Sequence, residues 1–216
     1  MASFDGLKAA SIRDTLRVQT RVAHDRLHRH SSFVSLFDAT LSLDGYRQLI
    51  QRKFGFYAAL DDAIERVILQ QHGSAAGYTY VRRSDFLAQD LMDLGASDLA
   101  VSESPQCVQA FDLVTPASLG GVLYVIEGAT LGGAGIDRAV HKLLGKDEPD
   151  GRRYWAWCRS ENKTRWSMTL GYLEHLAAKG ASVEDLASGA RGTFQLLADW
   201  LAPLDQVHGA LESEHS

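Results

Sequence analysis

Apolar residues recur along this chain at spacings of three and four, and strict apolar–polar alternation is nearly absent. From residue 12 to about residue 30, Leu16, Thr20, Ala23 and Leu27 fall near one face, with Arg21, Asp25 and Arg29 on a wetter side. That spacing predicts an amphipathic helix. After a turn at 41–44, the positions Tyr46, Leu49, Ile50, Phe54, Tyr57, Leu60, Ile64, Val67 and Ile68 predict a long helix bent at Gly55. Ser84 opens a shorter helix that Gly95 stops, and 102–115 is mixed.

Pro116 suits the first turn of a helix running to residue 143 or 144, followed by a polar loop at 146–152. The aromatic-rich 154–157 is ambiguous, whereas 164–178 reads as helix. Ser182 with Asp185 resembles an N-cap for a last helix ending near Leu201. The pattern gives one all-α domain over residues 12–201, with flexible termini at 1–11 and 202–216, the last stretch frayed from 208.

A chain of 216 residues can bury about 70% of its extended-chain surface without disulfides or structural metals. Its 22 Lys+Arg against 27 Asp+Glu leave a formal charge of -5, which disfavours nucleic-acid coating. Cys107 and Cys158 form no CxxC pair and fit a reducing compartment. No signal-peptide hydrophobic region opens the chain and no apolar run reads as long enough to span a bilayer, so a cytoplasmic protein without a membrane partner is expected.

The stretch LGGVLYVIEGATLGGAGIDRA at 119–139 is apolar, yet it contains six glycines. Each interior glycine costs roughly 1 kcal/mol relative to alanine, so the cluster needs a compensating contact. Gly121, Gly128, Gly132 and Gly135 lie roughly on one face. Two explanations stand: close helix–helix packing, or a kinked backbone at Gly132 and Gly133 that lets a flat ligand approach. A P-loop is disfavoured because GATLGGAG lacks the Lys-Ser/Thr ending.

The first helix carries LRVQTRVAHDRLHRH, with Arg17, His24 and His28 near one stripe. His24 can offer a neutral ring nitrogen to a metal, and a packed or surface histidine is the ordinary alternative. Arg17 lies roughly 10 Å away by helix rise, within reach of an acidic group at the edge of a large ligand. HExxH is absent, di-iron Glu-xx-His pairs are absent, and no His/Cys spacing fits structural zinc.

Together, LRVQTRVAHDRLH and LYVIEGATLGGAGIDRAVHKLLG resemble the heme oxygenase family, especially its bacterial branch that supplies biliverdin to phytochromes. The closing FQLLADWL is compatible. The resemblance implies a single-domain multihelical fold with heme between a proximal helix and a glycine-rich distal helix. On that basis His24 is the iron ligand, and Gly128 and Gly132 flank the distal side and assist catalysis. Gly133 continues the double glycine. Arg17, Arg21, Arg159 and Arg165 are basic candidates for the propionates, and Tyr124 and Phe194 are packing candidates.

The resemblance also implies oxidative cleavage of heme b to biliverdin, carbon monoxide and iron, heme being both substrate and oxygen-activating cofactor. Dioxygen and an external electron donor, a ferredoxin or flavoprotein reductase, are then required, and a bacteriophytochrome is a functional partner. Arg13, Arg17, Arg21 and Arg26 supply local positive charge for an acidic donor, or simply solvate the helix. Two positions depart from the family pattern. His28 stands where some relatives carry an acid, and Ala129 stands where animal-type enzymes carry the aspartate that organises distal water. They motivate a competing reading as a heme carrier or sensor that leaves the ring intact. An all-α interaction protein is the other alternative.

Overall fold

Ser11 opens the first helix by accepting the Asp14 N–H, and α1 runs over Ile12–His28. The computed structural model describes residues 11–70, 78–108, 111, 113 and 115–213. The expected leader, apart from Ser11, lies outside them. Helix α1 stops two residues before its expected end because His30 caps a separate short helix, α2 (Ser31–Phe37). His30 is buried, its Nε2 meeting the Leu201 carbonyl at 3.1 Å.

Helix α3 (Leu43–Gln70) fits its apolar repeat, and Gly55 within it serves a close approach. The carbonyl oxygen of Pro105 sits 2.0 Å from where a β-carbon would be, and Cys107 N–H donates to the Gly55 carbonyl. Helices α4 (Ser84–Asp93) and α5 (Asp98–Ser102) follow. The distal segment comprises α6 (Pro116–Gly128), a 3-10 turn (Ala129–Gly132) and α7 (Gly133–Leu144). A Thr115–Ser118 capping box with Pro116 in the first turn starts α6, and left-handed Gly145 (φ 61°) ends α7.

Helix α8 (Arg153–Ala178) begins eleven residues before the segment that reads as helix from sequence. Its first turn is capped from a distance: Asp90 on α4 accepts the N–H groups of Arg153 at 2.6 Å and Tyr154 at 3.1 Å. Helix α9 (Val183–Ser213) runs past its expected stop at Leu201 and carries Pro203 inside. Leu201 and Leu204 bury against Leu49, and Asp205 accepts the Ser31 N–H at the start of α2. Residues 202–213 are therefore helical.

Helix α6 is the buried centre, packed against α8 and α9, with 117–127 buried throughout. A β-carbon on Gly121 would lie 2.2 Å from the Leu186 carbonyl oxygen, and one on Gly189 would lie 2.7 Å from that of Ser118. The two backbones touch, which no alanine pair permits. Helix α1 lies on α9 through its Leu16 and Thr20 face, and α7 packs on α8 and α2. The described residues contain no β-strand. One expectation is corrected: residues 116–144 form a 29-residue run with mean hydropathy 1.4 in its most apolar window, long and apolar enough by composition to cross a bilayer. The 3-10 turn interrupts it, and its first helix is enclosed by the other helices.

Candidate functional site

The wet stripe of α1 presents Arg17, Arg21 and His24, all exposed. His24 stands edge-on to Phe194 of α9, ring centroids 6.1 Å apart. Its Nδ1 lies 3.4 Å from an Asp25 oxygen, and its Nε2 lies 3.1 Å from the Nε2 of His28. A carboxylate at Nδ1 favours the tautomer that leaves the Nε2 lone pair for a metal or a donor. Burial, then the neighbouring His24, lower the His28 pKa, with Asp25 opposing, so His28 is neutral near pH 7 and donates to or accepts from its partner.

Tyr124 connects α6 to this stripe. Its phenol bonds to Thr20, and its pKa is raised by burial while Thr20, Arg13 and Arg17 pull the other way. The Tyr124 ring packs against Trp166 of α8 at 5.5 Å, and a Trp166 ring carbon lies 3.4 Å from the β-carbon position of Gly128. Thr20, Tyr124, Trp166 and Gly128 thus form a continuous wall from α1 to the kink. Thr20 and Trp166 were not among the candidates read from sequence. Trp166, one residue past Arg165, carries no local signal that distinguishes it from a core aromatic.

The glycines divide by neighbour. Gly120 and Gly121 pack α6 against α8 and α9, and Gly133 packs α7 against α8, where a β-carbon would fall 2.5 Å from that of Cys158. The Cα face of Gly133 is thereby taken up by helix packing. Gly132 has nothing within 4 Å of its β-carbon position, is exposed, and sits at φ −76°, ψ −11°. Neither a neighbouring side chain nor its backbone angles require a glycine there. Leu131 beside it is 47% exposed, and Phe37, whose ring lies 3.7 Å from the Gly135 position, is 55% exposed. A bare backbone with an apolar rim suits a flat hydrophobic ligand. The residues present fit heme: an available imidazole on α1, arginines beside it, and an open glycine face on the distal turn.

Two later arginines engage acids of the protein itself. Arg165 is buried, with its guanidinium bonded to Glu127 at 2.5 Å and to the Thr79 carbonyl and Tyr78 hydroxyl. Arg159 pairs with Asp137 at 2.9 Å, on the opposite side of α7 from Gly135 by helix rotation. Asp137 also holds Arg152 at 2.7 Å. A polar cavity of roughly 330 Å³ opens there, lined by Asp137, Arg138, His141, Asp147, Arg152 and Arg159, and includes neither His24 nor the open glycine.

Sequence reading missed the cluster that anchors the kink. Glu127, the last buried residue before Gly128, accepts from Tyr78 and Arg165 and pairs with Arg83, every partner buried. Burial opposes its ionisation, and Arg83 with Arg165 override that and lower its pKa. Thr130 Oγ1 donates to the Glu127 carbonyl at 2.6 Å, tying the 3-10 turn to the same residue. The isolated acid in an apolar run was its one visible signal.

The family model for heme oxygenase matches residues 10–203. A heme oxygenase of Xanthomonas campestris pv. campestris (strain 8004) is 27% identical over 156 residues, covering 71% of this chain and 87% of that protein. The crystal structure of heme oxygenase-2 from Synechocystis sp. PCC 6803 in complex with heme and NO has a TM-score of 0.78 at 18% identity, covering 95% of this chain and 90% of that one. Heme oxygenase-1 from the same cyanobacterium, in complex with heme, gives 0.73 at 15% identity, covering 95% and 99%. At those identities the structures establish the fold, and the match over 10–203 establishes kinship. The chain belongs to the heme oxygenase family of heme-degrading enzymes.

Proposed function

We propose that this enzyme cleaves heme to biliverdin IXα, carbon monoxide and iron, with heme seated between α1 and the turn at Ala129–Gly132. The observation that carries this reading is Gly132: an open, bare position on a kinked segment where the protein itself has no need of glycine. Heme, when bound, supplies the iron at which dioxygen is activated. His24 would hold the iron through Nε2 while Asp25 orients its other nitrogen. His28 must turn aside to release that lone pair.

Arg17 and Arg21, on the exposed edge of α1, would hold the propionates and fix the rotation of the ring, which would select the α-meso carbon. Tyr124, Trp166 and Phe194 exclude water along the inner wall. Gly128 and Gly132 hold the distal backbone close without intervening side chains, and the methyl of Ala129 leaves proton delivery to water and backbone. Electrons come from an acidic ferredoxin or flavoprotein reductase attracted by Arg13, Arg17 and Arg21. Arg26 is paired with Asp199 and is left out of that patch. A reducing cytoplasmic setting accords with two buried cysteines that are not joined in a disulfide, and a bacteriophytochrome is the proposed consumer of the pigment.

Anaerobic heme titration followed by reductant, dioxygen and catalase tests the reading. Release of biliverdin, identified chromatographically as the IXα isomer, is expected at one equivalent per heme. Stoichiometric binding with the macrocycle intact after turnover conditions makes the protein a carrier and sinks it.

A further inference from the structure

His24 and His28 occupy positions i and i+4 on α1 with their Nε2 atoms 3.1 Å apart and ring centroids 4.3 Å apart. Both side chains are exposed. Two metal–nitrogen bonds of about 2.05 Å that span 3.1 Å enclose an angle of about 100°, between square-planar and tetrahedral values. The side-chain torsion that aims each ring is broad, so both lone pairs can converge without backbone movement. Asp25 beside the His24 Nδ1 adds the carboxylate that accompanies metal-bound histidines. Among the described residues no group of three or more His, Cys, Asp or Glu gathers to hold an ion, so water completes the shell.

We propose that in the heme-free protein His24 and His28 chelate a divalent transition-metal ion of the zinc–copper class, which competes with heme for the His24 lone pair. Imidazole pairs suit these ions, and Cu²⁺ binds most tightly of the series. The chelate needs only the two rings on α1. Its competition with heme rests on His24 being the iron ligand. An acid at position 28 would offer a harder oxygen donor, less suited to these ions than imidazole, which gives the departure at this position a chemical consequence.

The test uses the heme-free full chain with Cu²⁺ and Zn²⁺ as probes, the wild type beside His24→Ala and His28→Ala, each checked for helicity. Titration against a chromophoric chelator should show one site weakened at least about ten-fold by either substitution, since even outer partners are worth that much at a metal. Nitrogen hyperfine structure in the Cu²⁺ spectrum of the wild type should report two imidazoles, a readout independent of any variant folding. Equal affinity in all three proteins, or at most one imidazole on copper, overturns the chelate. One equivalent of Cu²⁺ should weaken heme uptake about ten-fold in the wild type and not in His28→Ala, as mass action on a shared ligand requires. Copper held by both imidazoles with heme uptake unaltered overturns the competition and removes His24 from the iron, leaving the two failures distinguishable.

Discussion

Gly133 and Cys158 are in backbone-to-backbone contact: a β-carbon on Gly133 would lie 2.5 Å from that of Cys158 and 3.0 Å from its carbonyl carbon. One residue earlier, Gly132 meets nothing. Adjacent glycines therefore answer to different demands. Gly133→Ala forces α7 from α8 and should cost about 1–3 kcal/mol, the range for overpacked sites. Gly132→Ala should leave the free protein unchanged or firmer by up to roughly 1 kcal/mol, because alanine favours the helix that follows. Heme affinity should respond to Gly132→Leu, which fills the open face. Denaturant midpoints and Soret titrations of the three variants separate these effects, and equal destabilisation by both alanines contradicts the division.

That division marks where the sequence stops being informative. The period of three and four places α3, which buries a face along its length, and Pro116 with the apolar run behind it places the distal segment. It misses α2, whose seven residues start on a histidine cap and are pinned by Leu201 and Asp205, over 170 residues away. It leaves the start of α8 ambiguous because its cap, Asp90, is 63 residues upstream of Arg153. At the site, the glycine cluster stands out by local rules, whereas His24 is singled out only by the family resemblance. Whether each glycine meets a helix or open space, and whether Arg165 reaches outward or turns to Glu127, depends on tertiary neighbours that no spacing encodes.

Glu127 should be the costliest single polar substitution near the kink. Glu127→Gln leaves Arg83 and Arg165 buried against a neutral amide, and breaking a buried pair costs about 3–5 kcal/mol. The carboxylate's folded pKa is lowered, so its stabilisation is present above the ordinary value near 4.5 and is lost as pH falls through the folded value. Thermal melts from pH 7 downward should show the wild type losing stability on that limb and Glu127→Gln starting lower with a flatter slope. Superimposable profiles count against the ion cluster as the anchor.

The two histidines of α1 should differ once heme is present. On the proposed heme site, His24→Ala would remove the iron ligand and should shift or broaden the Soret band and weaken heme binding, with exogenous imidazole restoring a ligated spectrum. His28→Ala removes a group that in the heme-free protein bonds to the same nitrogen, so its heme spectrum should match the wild type. Identical spectra for all three proteins place the iron on another residue.

Lys53 is buried with its ammonium 4.8–5.2 Å from the ring centroids of Trp155, Tyr154 and Tyr57. Burial lowers its pKa from 10.5 to about 8, and Cys158 opposes the shift weakly. A depressed lysine makes the unfolded chain bind more protons than the folded one between those two values, so stability rises with pH across that window and the penalty is greatest below it. The shift amounts to about 3 kcal/mol at pH 7, part of which the three rings return as cation–π attraction. Lys53→Met keeps the unbranched stem and removes the charge. It should raise the melting temperature at pH 7, bring a smaller gain near pH 10, and abolish the rise between about pH 8 and 10.5. Parallel stability curves for the two proteins across that range would show that the ammonium is solvated and pays no burial cost.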